Sequence, residues 1–451
     1  MRYVPLTPDD REAMLRDIGV SSLDDLLTQI PDSLKLKRPL DFPDALSESE
    51  VVGMMTSMAR KNLNAGDLVS FLGAGCYDHF IPAAIDALAS RSEYITAYTP
   101  YQPEVSQGTL QVIYEFQSML CELFGMDAAN ASVYDGGTAL AEAVLLACGN
   151  SRKTRVLWPQ SVHPHYRKVV QTIAKPSGLQ FDFLHMQEGR VVPEKLKAAL
   201  SVEVAAVVLQ YPNFFGVIEN IEPLIQIIHE AGALAIVVAD PLAMGVLEAP
   251  GRFGADIVIG EGQALGNAQS YGGPYLGLFT VKDKLVRRMP GRIVGVTKDV
   301  DGRRAYVLTL QTREQHIRRD KATSNICTNE GLCAARATFF MSLIGPKGLR
   351  GIGEACMGAA QYMSQRLQKT KGVTLPFSGP YFKELVVSIQ GDIPRFLEFM
   401  AKRGILAGIP LSRFDLGMDN ALLVAVTERR TKAQMDGYVD AVRDFLEGKA
   451  K

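Results

Sequence analysis

Several stretches of the chain combine residue types at spacings that could do chemistry. Leu234-Ala-Ile-Val-Val-Ala-Asp240 is an apolar run closed by a carboxylate, and Gly260-Glu-Gly-Gln-Ala-Leu-Gly266 is a glycine-punctuated turn further on. A buried charge without a partner is costly, so Asp240 must meet either a ligand or neighbouring backbone N–H groups. Gln263, within the turn, offers a carboxamide, which cannot form the imine that a Lys amine would. Asp135, Gly136, Gly137 and Thr138 lead into the small and apolar residues Ala139 to Cys148. Such a turn, at a helix N-terminus, presents unpaired backbone N–H groups to an anion such as phosphate; the plainer reading is a turn in which Thr138 caps the helix. Tyr98-Thr-Pro-Tyr-Gln-Pro-Glu-Val-Ser-Gln-Gly108 cannot lie inside a helix or sheet, because its two prolines forbid both. It is a surface loop, or a rigid wall presenting Tyr98, Tyr101 and Gln102 to a ligand. From Arg313 to Lys321 there are four basic side chains within nine residues, followed by Thr323, Ser324 and Asn325. The last three supply hydroxyl and amide donors, and Arg318, Arg319 or Lys321 supplies positive charge at longer range. Asn325 or Thr328 also fits a helix start, and a cap and an anion site share one geometry. His163 and His165 sit in a Val-His-Pro-His turn, as ligand-facing or as capping and surface residues.

The elements that must position these residues follow from patterning. Arg155-Val-Leu-Trp158, Phe181-Asp-Phe-Leu184, Val204 to Gln210, Leu234 to Asp240, Asp256 to Gly260 and Tyr275 to Val281 read as strands, the last three as successive parallel ones. Helices start near His163, near Pro193 and at Glu222-Pro223, where Leu224, Ile227, Ile228 and Ala231 share a face and Gly232 ends it. Apolar strands alternating with amphipathic helices predict a mainly parallel sheet covered on both sides, with ligands at the carboxyl ends of its strands. Residues 1–60 read as a helical arm, with starts at Thr7-Pro8, Ser22 and Ser47, the last with Glu50 as capping-box partner. An arm with little core of its own wraps a neighbouring domain or subunit. The large α/β domain is expected to span 61–328. Residues 329–451 are expected to form a smaller α+β domain with helices to Leu343 and from Leu349, strands Glu384 to Ile389 and Ala421 to Val426, and a last helix opened by Thr431 and Gln434.

Composition narrows the function. Of 451 residues, 22% are charged and 47% apolar, and the formal net charge is −1 without a basic block, so nucleic acid and membrane surfaces have little support as partners. The six Cys show no metal-ligand or CxxC spacing and fit a reducing cytoplasm. No apolar run reaches the roughly 20 residues of a bilayer span, and Met1 to Asp10 lacks the core of a secretory signal. The expectation is a soluble cytoplasmic protein.

The order of Asp240 and the later turn resembles the fold type I pyridoxal-phosphate enzymes, in which an Asp ending a strand pairs with the ring nitrogen and a Lys about two dozen residues on holds the cofactor as a Schiff base. Here Gln263 stands where that Lys should fall. The Tyr98 to Gly108 segment, with Ala129-Asn-Ala-Ser-Val-Tyr-Asp-Gly-Gly-Thr-Ala-Leu-Ala-Glu142 and Arg318-Arg-Asp-Lys-Ala-Thr-Ser-Asn-Ile-Cys-Thr328, is similar to the P-protein family of the glycine cleavage system, a likeness that runs from about residue 10 to 445. Without the Lys, the chain resembles the family's subunit 1, the α subunit; subunit 2 carries the Lys. The resemblance implies that pyridoxal phosphate is held by that partner and is not covalently bound to this chain. It also implies an α2β2 assembly that acts on glycine and passes an aminomethyl group to a lipoyl H-protein. Thr323, Ser324 and Asn325 would then reach the partner's phosphate, with Tyr98, Tyr101 and Gln102 near substrate. Asp135, Gly136, Gly137, Thr138, His163 and Asp240 would be relics of a former site. Two other readings stand beside it, a self-sufficient pyridoxal-phosphate enzyme and a scaffold with no residue in any active site.

Overall fold

The computed structural model describes residues 5–64, 66–94, 98–322 and 324–449. The chain divides into two compact units, Met1–Leu63 and Asn64–Lys451. In the first, helix Pro8–Ile18 starts with a Thr7–Asp10 capping box and stops at left-handed Gly19, and helix Glu48–Ala59 starts with a Ser47–Glu50 box, as the sequence predicts. The start at Ser22 yields only a 3-10 turn, Asp24–Leu27.

The second unit is built on a seven-stranded sheet in the order Ala128–Ala129, Gly277–Val281, Ile257–Glu261, Leu234–Ala239, Val204–Tyr211, Arg155–Pro159, Gln180–Leu184. The last five in that order run parallel. Gly277–Val281, expected to be parallel, runs antiparallel to Ile257–Glu261. No helix crosses back between these two strands, and a parallel pair needs such a crossover. Successive side chains feed opposite cores, as the strand period requires: Leu157, Val207, Val237, Val258 and Leu278 enter one, and Val156, Val208, Ile236, Ile257 and Phe279 the other. Both faces are covered, so the continuous apolar runs are explained.

Helix Gly331–Gln368 starts after Glu330, which gives no side-chain cap, so neither Asn325 nor Thr328 opens it. It breaks at Gly345, whose backbone is non-helical, just before Pro346, and so behaves as the two predicted helices. Its first part packs in a core of the seven-stranded sheet through Phe339 and Phe340, and its last part in a separate core through Met363 and Leu367. That separate core lies under a four-stranded antiparallel sheet containing Glu384–Ile389 and Ala421–Ala425. Helix Lys432–Leu446, opened by the Thr431–Gln434 box, buries Met435, Tyr438, Val439 and Val442 against it. The unit thus has a large lobe on the seven-stranded sheet and a small lobe on the four-stranded one. Among the described residues no helix is long and apolar enough to cross a membrane.

Candidate functional site at the strand ends

The carboxyl ends of Val204–Tyr211, Leu234–Ala239 and Ile257–Glu261 meet a cavity of about 50 Å³ lined by Tyr77, His163, Asp240, Glu261, Lys383 and Glu384, among others. That is room for a few waters, whereas pockets for cofactor-sized ligands run to about 300 Å³ or more. Asp240 lines it. Its Oδ1 accepts from the Leu242 and Ala243 amides at 2.9 and 3.4 Å, the backbone contacts foreseen from sequence. Its Oδ2 meets the Nζ of Lys383 at 2.6 Å, a partner the sequence does not announce.

Gln263 is buried and turned to a structural task. Its Oε1 accepts from the Tyr77 amide at 3.0 Å, and its Nε2 donates to the carbonyls of Tyr77 and Asn267 at 3.2 and 2.8 Å. The amide therefore ties the loop Phe71 to Pro82 to the sheet, using both its donor and acceptor character.

The turn at Asp135 caps helix Gly136–Ser151, but Asp135 is the cap and Thr138 the capped residue: Asp135 Oδ1 accepts from the Thr138 amide at 2.6 Å. The Gly136 amide donates to Glu261 Oε2 at 2.9 Å, and the other oxygen of Glu261 accepts from the Gln263 and Leu276 amides. Two amides of the expected phosphate cup are thus taken by carboxyl groups of the chain itself. Burial pushes the Glu261 carboxyl up to about 8 despite its amide partners. Tyr166 covers the glycines, since a Cβ on Gly136 would lie 2.5 Å from the Tyr166 hydroxyl. Gly137, expected to help cup a phosphate, is instead buried in the helix's first turn, where a Cβ would meet Val169 and Tyr166 side-chain carbons at 3.3 and 3.4 Å. Its lack of a side chain lets helix Pro164–Ala174 pack closely.

His163 is buried, not on the surface, and caps helix Pro164–Ala174 by accepting from the His165 amide at 3.1 Å. Its Nε2 donates to the Ala74 carbonyl at 2.9 Å, which fixes the neutral tautomer; burial holds its pKa down to about 4. Tyr166 stacks on its ring at 4.4 Å and 11° between planes, covering a face that would otherwise be offered to a ligand. Glu384, at the head of a strand of the small lobe, accepts from the Ala74 amide at 2.6 Å and from the Tyr77 hydroxyl at 2.8 Å, and burial raises it to about 7.

Asp135, Gly136, Gly137, Thr138, His163, Asp240 and Gln263 therefore gather around one place, and Tyr77, Glu261, Lys383 and Glu384 are the members sequence reasoning missed. Glu261 was visible as a carboxylate inside the glycine turn. Lys383 carried only the weak signal of a charge beside an apolar strand. Pyridoxal phosphate does not fit what they build: the imine-forming amine is absent, the ring-nitrogen partner is spent on Lys383, and the Gly136 amide is spent on Glu261.

The remaining candidates lie apart from this cavity. Tyr98 is 86% exposed and Gln102 is exposed, while the Tyr101 hydroxyl accepts from Arg292 Nη2 at 3.0 Å. Arg292 and Glu314 are buried beside it, with Arg292 Nε 3.5 Å from Glu314 Oε2. Among the described residues, Nε and Nη1 of Arg292 and Oε1 of Glu314 have no hydrogen-bond partner. Ser324 is half-buried, its Oγ accepting from the Ile326 amide at 3.0 Å, and Asn325 is exposed. Thr323 lies outside the described residues.

The architecture is that of the fold type I pyridoxal-phosphate-dependent enzymes. The glutamate decarboxylase of Lactobacillus brevis shares it over 92% of this chain and 96% of its own, at a TM-score of 0.69 and 11% identity, a likeness of fold alone. Other likenesses extend to sequence. The glycine cleavage system P-protein profile matches residues 1–442. A probable glycine dehydrogenase (decarboxylating) subunit 1 of Moorella thermoacetica is 48% identical over 446 residues, 99% of this chain and 100% of its own. A crystal structure of glycine decarboxylase (P-protein) of the glycine cleavage system, in inhibitor-bound form, matches 98% of this chain and 100% of its own at a TM-score of 0.88 and 41% identity. The chain belongs to the glycine cleavage system P-protein family.

Proposed function

We propose that this chain is subunit 1 of a heteromeric glycine decarboxylase, in which a homologous, Lys-bearing subunit 2 holds the pyridoxal phosphate and this chain completes the site from across the interface. One observation carries the reading: the pocket at the strand ends is closed by the chain's own side chains, with Gln263 clasping Tyr77 where the fold needs an amine. Glycine loses CO2 at the partner's site, and the aminomethyl group passes to the lipoyl arm of an H-protein. The chain's part is to bind and orient. Ser324, Asn325 and Thr323 donate toward the partner's phosphate, while Tyr98, Tyr101 and Gln102 wall the path to the substrate. The exposure of Tyr98, Gln102 and Asn325 supports this, because side chains that complete a second chain's site must be open to it. The assembly is a cytoplasmic α2β2 complex with an obligate interface of at least about 2,000 Å². Carbon exchange between glycine and bicarbonate tests it. The chain alone gives no exchange, and adding subunit 2 and lipoyl H-protein restores it; exchange by subunit 2 and H-protein at full rate without this chain would overturn the reading.

A further inference from the structure

Lys383 is 1% exposed, yet it belongs to the small lobe and reaches into the cavity of the large one. Its ammonium is met on three sides by suitable groups. Asp240 Oδ2, at the end of strand Leu234–Ala239, lies at 2.6 Å, His79 Nε2 at 3.2 Å, and the ring centroid of Tyr77 at 3.6 Å. A carboxylate, an imidazole acceptor and an aromatic face form a receptor for a primary ammonium ion. The contact chain continues beyond it. His79 Nδ1 meets Glu428 Oε2 at 2.7 Å, and the same oxygen accepts from Cys356 Sγ at 3.5 Å. His79, Cys356 and Glu428 are close enough to suggest a metal site, but these bonds and the neighbouring cation already satisfy them. Nor is Lys383 a relocated imine-forming amine, since its nitrogen is spent on these three contacts in a cavity of about 50 Å³.

The loop Phe71 to Pro82 lies between the two lobes and is bonded to both. From the large lobe, Gln263 holds Tyr77 and His163 holds Ala74. From the small lobe, Glu384 holds Ala74 and Tyr77, Glu428 holds the Phe80 amide at 2.8 Å, and Arg429 and Arg430 pair with Asp78. Lys383 reaches past the loop to the large lobe's own strand. It does so from a left-handed backbone, φ 47°, which a non-glycine residue keeps only where its surroundings impose it.

We propose that Lys383 is a built-in ligand: its ammonium occupies a receptor formed by Asp240, His79 and Tyr77, and thereby holds the small lobe and the loop Phe71 to Pro82 closed on the large lobe without any bound small molecule. The inference concerns this chain's own pocket and stands independently of what the partner subunit catalyses. Its test is amide hydrogen exchange on the full chain carrying Lys383→Ala. Exchange in segments 71–82 and 384–389 rises by roughly a hundredfold, because a buried charge loses its partner, while the strands of the large sheet keep their protection. Adding n-butylammonium restores the protection, and n-butanol at the same concentration does not. Should Lys383→Ala fail to fold, the double variant Asp240→Asn/Lys383→Met, uncharged and of similar volume, takes its place, with the same two segments loosened and the rest protected. Wild-type protection of both segments in the variant that folds, equal rescue by butanol, or collapse of the whole unit in both variants would overturn the proposal.

Discussion

Around Asp240, the groups a ligand would engage are held by the chain itself: the carboxylate by Lys383, the Gly136 amide by Glu261, and the His163 ring by Tyr166. Around Tyr98, Gln102 and Asn325 the polar groups face outward instead, with Tyr98 86% exposed and Gln102 and Asn325 exposed, while their neighbours Tyr101 and Ser324 are each bonded within the chain. Both regions are rich in residues that bind anions and rings. The difference lies in where their hydrogen-bonding capacity is turned, wholly inward in the first and partly open to the surface in the second. Residue type alone therefore does not mark a working site, since an occupied donor is structural however well it is placed.

The contrast can be broken or sharpened by substitution. Asp240→Ala leaves Lys383 buried without its counter-charge and is expected to lower stability by about 3–5 kcal/mol, read as a fall in urea midpoint; an unchanged midpoint would mean the inward region is not spent as described. Gln263→Lys returns an amine to the turn but breaks the clasp on Tyr77, so it costs about 2–3 kcal/mol. It gains no imine absorbance on incubation with pyridoxal phosphate, because Asp240 and Gly136 stay occupied; an imine band would erase the contrast. In the outward region, Ser324→Ala/Asn325→Ala is expected to lower the free chain's stability by only about 0.5–1.5 kcal/mol, for the lost bond from the Ile326 amide, while turnover of the reconstituted complex falls tenfold to a hundredfold, for about 1.5–3 kcal/mol of lost charged hydrogen bonding. Intact assembly with unchanged turnover would reduce this chain to a scaffold.

The smallest effect is pH dependence. Glu261 and Glu384 are raised to about 8 and about 7 from an ordinary 4.5, so the folded chain binds more protons than the unfolded chain between those values. Their contribution is fully present below the unfolded value and is lost as pH rises through the folded ones. His163, lowered to about 4 from 6.5, acts in the opposite sense, but only below 6.5. The thermal midpoint therefore falls between about pH 6.5 and roughly 8.5, and Glu384→Gln flattens that slope by up to about 1.4 kcal/mol per pH unit. A slope unaffected by Glu384→Gln would place the titration elsewhere.

Much of the scaffold was legible because its signals are local. The Thr7, Ser47 and Thr431 capping boxes and the apolar strands of the large sheet follow from short-range chemistry and period. The direction of Gly277–Val281 was not, since it depends on what the connection lacks. The site divides in the same way. Gln263 announced a missing amine within a single turn, and Asp240 announced a need for a partner. Gly136 and Gly137 suggested an anion cup, but whether a side chain fills the space above two glycines depends on Tyr166 and Val169 from the next helix. That the partner of Asp240 is Lys383 depends on two lobes meeting across more than a hundred residues of chain, a pairing that no spacing in the sequence encodes.

If the imine-forming amine and the cofactor belong to another subunit, the most direct measurement is borohydride reduction of the reconstituted complex after incubation with pyridoxal phosphate, followed by peptide mass spectrometry of each subunit. A pyridoxyl-lysine is expected in subunit 2 and none in this chain. A pyridoxyl group on any lysine of this chain, Lys383 above all, would contradict that division of labour.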